Sequence, residues 1–92
     1  MLTYLVIVFD STHYAIKTEK LMKQVNISGR LIPTPGNLRA GCGLSYKVDI
    51  NLKKKVLTLL NEEIGQGYEV FEIKKSEKGT DSEQLTVLNE FN

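Results

Sequence analysis

Four strand-like runs and two helical stripes in the order β-α-β-β-α-β predict an α+β domain: a ferredoxin-like plait whose antiparallel sheet carries two helices on one face. Three observations carry that prediction. Residues Thr3 to Phe9 form an unbroken run of β-branched, aromatic and aliphatic side chains, as a central strand requires. Leu44, Tyr46 and Val48 alternate with Ser45 and Lys47, the period of a sheet with one face covered and one wetter. Two further stretches repeat apolar residues every three or four positions, the period of a helix packed on one side.

In chain order, the first strand ends at the turn- and cap-forming Asp10-Ser11-Thr12, where Asp10 or Ser11 is placed to accept from the first free amides of a helix. Tyr14, Ala15, Thr18, Leu21, Met22 and Val25 mark that helix from about Thr12 to Gln24, and Asn26-Ile27-Ser28-Gly29 breaks it. Arg30 to Pro33 reads as a short strand that Pro33 ends. After the alternating strand, Asp49 or Asn51 is the expected cap of a second helix, with Leu52, Val56, Leu59, Leu60 and Ile64 as its buried stripe and Lys53-Lys54-Lys55 on its solvated side. Gly65-Gln66-Gly67 stops the helix and Tyr68 to Ile73 forms the last strand. The domain spans residues 1–74, and residues 75–92 form a polar C-terminal extension in which a short helix from Ser82 and a strand at Leu85-Thr86-Val87 are equally open.

The 92 residues fit one domain with one core, and an apolar share of 41% with 25% charged residues is that of a globular chain. A net charge of +1 supplies no footprint for nucleic acid. The apolar start lacks a basic n-region and a cleavage site and is too short to span a bilayer, so it is read as a strand and no membrane is expected. One cysteine forms no internal disulfide, and with one histidine it completes no tetrahedral zinc site; the expected compartment is a reducing cytoplasm, with no metal. No dinucleotide fingerprint or P-loop is present, and no cofactor is expected.

The stretch from Arg30 to Leu44 holds both prolines, three of the seven glycines and the cysteine. Pro33 and Pro35 restrict the chain's approach, while Gly41 and Gly43 leave Cys42 without flanking side chains. Right-handed crossovers make strands one and three central antiparallel neighbours, so Asp10 to His13 and Cys42-Gly43 are expected at one sheet edge. A thiolate there is favoured by the helix N-terminus and by cations: Arg39 lies three residues from Cys42, and Arg30 sits on the adjoining strand. His13, in the first helical turn, is a candidate proton acceptor, and Ser11 and Thr12 with the free amides form a generic anion site. The plainer alternatives are a cysteine acting as a small core hydrophobe, a surface histidine without a role, and hydroxyls that only cap a helix.

Phe9-Asp10-Ser11-Thr12-His13-Tyr14-Ala15, Glu19-Lys20-Leu21, Arg30-Leu31-Ile32-Pro33-Thr34-Pro35 and Cys42-Gly43-Leu44, in this order, resemble the family of small domains called putative selenium/sulfur carrier-like proteins, over roughly residues 3 to 73. The resemblance implies a cytoplasmic bacterial protein that carries sulfur or selenium on Cys42 as a persulfide or selenopersulfide. It implies a protein persulfide donor such as a cysteine desulfurase, an acceptor enzyme, and a carrier without turnover of its own. Where such family members carry an acidic or small polar run after the second proline, this chain has Gly36-Asn37-Leu38-Arg39-Ala40-Gly41, a more flexible and more basic loop.

Two readings from other classes compete with it. One is a regulatory or anion-binding plait in which Cys42 is incidental; the other is a structural module that pairs through its open sheet face. Tyr4, Val6 and Val8 alternate with Leu5, Ile7 and Phe9, so both faces of the first strand are apolar while two helices cover only one. A second copy of the chain, as a homodimer, or the segment from Leu85 to Phe91 is expected to bury the other.

Overall fold

The computed structural model describes residues 2–36, 38, 41–75 and 86–87. The order is β1 (Leu2–Phe9), α1 (Thr12–Gln24), β2 (Gly29–Pro33), β3 (Leu44–Asp49), a helical segment in three parts, β4 (Tyr68–Lys75) and β5 (Thr86–Val87). The segment before β4 is a 3-10 turn at Ile50–Leu52, helix α2 at Lys53–Leu59 and a π turn at Leu60–Ile64. The sheet runs β2-β3-β1-β4-β5 with every neighbour antiparallel. Its first four strands with the two helical segments are the predicted ferredoxin-like arrangement, and β5 adds an edge strand beside Phe71 and Glu72. Of the expected extension, Lys75 ends β4, Thr86 and Val87 are strand, and the remainder lies outside the described residues.

Each element ends for a local reason. Helix α1 closes with Asn26 in the left-handed region (φ 59°), the Asn26 amide on the Lys23 carbonyl and the Ile27 amide on that of Met22. That pattern is a Schellman motif, and Ile27 and Met22 meet in the core as the motif favours. At the other end Ser11 occupies the N-cap position with an extended backbone, but its side chain makes no capping hydrogen bond, contrary to the expected cap. Asp10 is held instead through its backbone, donating to the Gly67 carbonyl at 2.9 Å. Asp49 does cap the 3-10 turn, accepting the Asn51 amide at 2.8 Å. The π turn closes where the Gly65 amide reaches the Leu60 carbonyl at 2.8 Å, and Gly65 then leaves with φ +80°, a conformation that costs glycine little.

The core lies between the helices and one face of the sheet. Leu5, Ile7 and Phe9 of β1, Tyr46 and Val48 of β3 and Val70 of β4 meet Ala15 and Met22 of α1, Val56 of α2, and Leu60 and Ile64 of the π turn. On the opposite face Val6, Val8 and Ile73 are also buried, at 0–3% exposure, and Leu38 packs against them from the loop after β2. The sequence pointed to a second copy or the C-terminal segment as cover for this face, yet part of the cover is a side chain of the glycine-rich loop itself. Lys54 and Lys55 are exposed as expected, whereas Lys53 is half-buried and reaches Glu72 at 3.6 Å.

Candidate functional site

The antiparallel register of β1 and β3 sets the site. Val8 pairs with Ser45, so the end of β1 lies level with the start of β3, and the turn into α1 shares a sheet edge with the residues before Leu44. Side chains alternate along a strand. Leu44, Tyr46 and Val48 all contact the helix-side core, and Cys42 continues that row by one step, packing partly buried against the same cluster. The thiol therefore sits at the rim of the core, half covered, on the helix-covered face of the sheet.

The loop that delivers it is pinned at three points. At its start the Thr34 amide donates to the Gly43 carbonyl at 2.9 Å, and the Thr34 hydroxyl lies 2.8 Å from that of the fully buried Ser45. In the middle, Leu38 is sunk into the far-face cluster, and its amide returns to the Pro35 carbonyl. At its end Gly41 rests on the backbone of Asp10: a Cβ built there would stand 2.7 Å from the Asp10 carbonyl oxygen, a distance that real Cβ atoms do not adopt. Gly43 is needed for a different reason, its φ of +77°, and a Cβ there would meet open space. The two glycines thus do separate work: Gly41 permits close approach to the β1–α1 junction, and Gly43 turns the chain into β3.

Cys42 folds back on that turn. Its Sγ accepts the Leu44 amide at 3.4 Å and stands 3.6 Å from the Leu44 carbonyl, to which the thiol donates. A sulfur without its proton keeps the first contact and loses the second. Around it, Thr12 and His13 are exposed and Ser11 is half-buried; the His13 ring meets Tyr14 edge-on at 5.4 Å between centroids. Among the described residues no hydrogen bond joins Cys42 to Ser11, Thr12 or His13, so the shared edge is shown by the Gly41–Asp10 contact. Arg30 stands elsewhere: it is the Cα partner of Lys47, which alternation places on the face opposite Cys42. Arg39, the other cation expected to assist the thiolate, lies outside the described residues. No group of three or more His, Cys, Asp or Glu side chains suited to a metal ion occurs among the described residues, and no described helix is long and apolar enough to cross a membrane.

A family model, Putative Se/S carrier protein-like, matches residues 4–73. The chain belongs to that family. The match takes in β2, β3, both helical segments, the whole Cys42 loop and most of β1 and β4. No curated protein and no solved structure is matched by the chain. In this family member, sequence reasoning missed Thr34, Ser45 and Leu38 as the loop's anchors. Leu38 had a visible signal, a lone leucine in a polar glycine-rich loop; the Thr34–Ser45 pair is created by the β2–β3 register and had none.

Proposed function

We propose that the protein is a sulfur or selenium carrier that holds the chalcogen on Cys42 and passes it between protein partners. The supporting observation is the placement of the chain's one cysteine: within the family-matched region, at a glycine-flanked corner of the sheet, half exposed, with its sulfur held by the following backbone. Loading is thiol exchange. The Cys42 thiolate attacks the outer sulfur of a donor persulfide, as carried by a cysteine desulfurase; a Cys42 Sγ–S bond forms, the donor's S–S bond breaks, and the donor leaves as its thiolate. The outer sulfur keeps its proton, and no external oxidant or reductant enters. Delivery reverses the roles, with a nucleophile of the acceptor enzyme taking the outer sulfur and Cys42 returning as thiolate. Selenium follows the same steps as a selenopersulfide. A reducing, cytoplasmic compartment keeps the thiol free between cycles.

The glycine corner suits such exchange, because attack requires the donor's sulfur in line with Sγ, and side chains at 41 and 43 would crowd that approach. The Leu44 amide remains as a donor toward sulfur once the proton has left. Intact-mass measurement after incubation with a loaded cysteine desulfurase tests the reading. The expected result is discrete sulfur-sized increments that a thiol reductant removes, present in the wild type and missing in Cys42→Ser. Equal increments on both, or none on a folded wild type, would overturn it.

A further inference from the structure

At the opposite end of β3 from Cys42, Arg30 and Lys47 are directly opposed across the β2–β3 pair and leave the same face of the sheet. Like charges so placed repel each other. Among the described residues neither reaches a carboxylate: the ion pairs there are Lys23–Glu19 and Lys53–Glu72. Lys47 instead lies over the ring of Tyr4, its Nζ 4.3 Å from the centroid, which steadies the ammonium without neutralising it. Both cations border a hollow of about 410 Å³ whose walls also include Thr3, Tyr4, Ser28 and Asp49. The hollow is shallow and open to solvent, so a ligand there would be held by its charged walls rather than by enclosure. Asp49 is the lone carboxylate of the lining, and its Oδ1 is engaged by the Asn51 amide.

We propose that this hollow binds a small phosphate monoester, its phosphoryl oxygens held between the Arg30 guanidinium and the Lys47 ammonium. The planar guanidinium matches two phosphoryl oxygens at once, the ammonium supplies a point charge, and Ser28 is a neutral partner at the wall. An anion here converts the repulsion between the two cations into attraction across the β2–β3 pair. The site is separate from Cys42: Lys47 lies three residues along β3 from Leu44, roughly 10 Å by strand rise, and on the other face.

Protein-detected NMR of the full chain tests this, with phenyl phosphate as the probe and sodium chloride at matched ionic strength as the control. Saturable shifts are expected at the amides of Gly29, Arg30 and Lys47, with affinity falling about fivefold in Arg30→Gln and in Lys47→Gln and vanishing in the double variant. Cys42→Ser should bind as the wild type does. The proposal is overturned if chloride reproduces the shifts, if the wild type does not saturate, if the folded double variant binds normally, or if the shifts centre on residues 11–13 and 41–43.

Discussion

Gly41 and Gly43 differ in what a side chain would cost, and the difference is measurable. At Gly41 an added methyl meets the Asp10 carbonyl oxygen, a backbone atom that gives way only if the loop or the β1–α1 junction moves. Gly41→Ala should therefore cost about 1–3 kcal/mol in chemical denaturation and alter the rate at which a thiol reagent modifies Cys42. At Gly43 the penalty is dihedral, with no steric neighbour, so Gly43→Ala should cost about 1 kcal/mol and Gly43→Asn distinctly less, since asparagine tolerates the left-handed region. Equal losses for Gly43→Ala and Gly43→Asn would show that something other than φ sets the requirement there.

Among the elements, the loop between β2 and β3 behaves as a strap whose middle is fastened to one face of the sheet and whose end presents a thiol on the other. Leu38 is that fastening, buried with Val6, Val8 and Ile73. Leu38→Ala should lower stability by about 2 kcal/mol, at the low end for leucine truncations because a loop collapses more readily than a core, and should speed modification of Cys42 by loosening the strap. Leu60→Ala is the contrasting case. Leu60 is fully buried at the start of the π turn, beneath the helices, and its loss should cost more, about 3–5 kcal/mol by denaturant titration, with little effect on thiol access before unfolding. If both variants changed Cys42 access alike, the loop would not be separately anchored.

For the molecule as a whole, the titration of two tyrosines, Tyr46 in the core and the partly buried Tyr68 packed against it, predicts the alkaline limit of the fold. Tyr46 is raised above the ordinary tyrosine range, first by burial and then by the nearby Glu19 carboxylate, and Tyr68 is raised by burial. An acid whose folded value is raised stays protonated in the native state while the unfolded chain already ionises. Its contribution is therefore complete below the unfolded value of about 10 and is lost as pH climbs through the folded one. Stability should be flat on this account below about pH 10 and fall above it. Tyr46→Phe should flatten part of that fall, seen as a smaller drop in Tm between neutral and strongly alkaline buffer; an unchanged slope would remove Tyr46 as its cause.

The order of elements and the helix-side core were legible in the chain because they rest on local periodicity. The alternation from Leu44 to Val48 and the stripe through Val56 and Leu60 each specify a face, the unbroken run to Phe9 marks a strand buried on both, and antiparallel pairing with right-handed crossovers arranges them. The family match over residues 4–73 agrees with the motifs quoted from Phe9 to Leu44. What periodicity does not encode is where side chains from separate elements meet. Arg30 reads as a neighbour of Cys42 by its place on the adjoining strand, yet its pairing with Lys47 puts it on the other face, since one residue of register reverses direction. Ser11 has the composition of a cap but makes no capping bond, because side-chain type permits a contact that only local geometry forms. The contact of Gly41 with Asp10, the seat of Leu38 and the hollow between Arg30 and Lys47 all join residues far apart in the chain. Only tertiary structure decides such meetings, because strand pairing brings the residues together and no local preference of either residue records it.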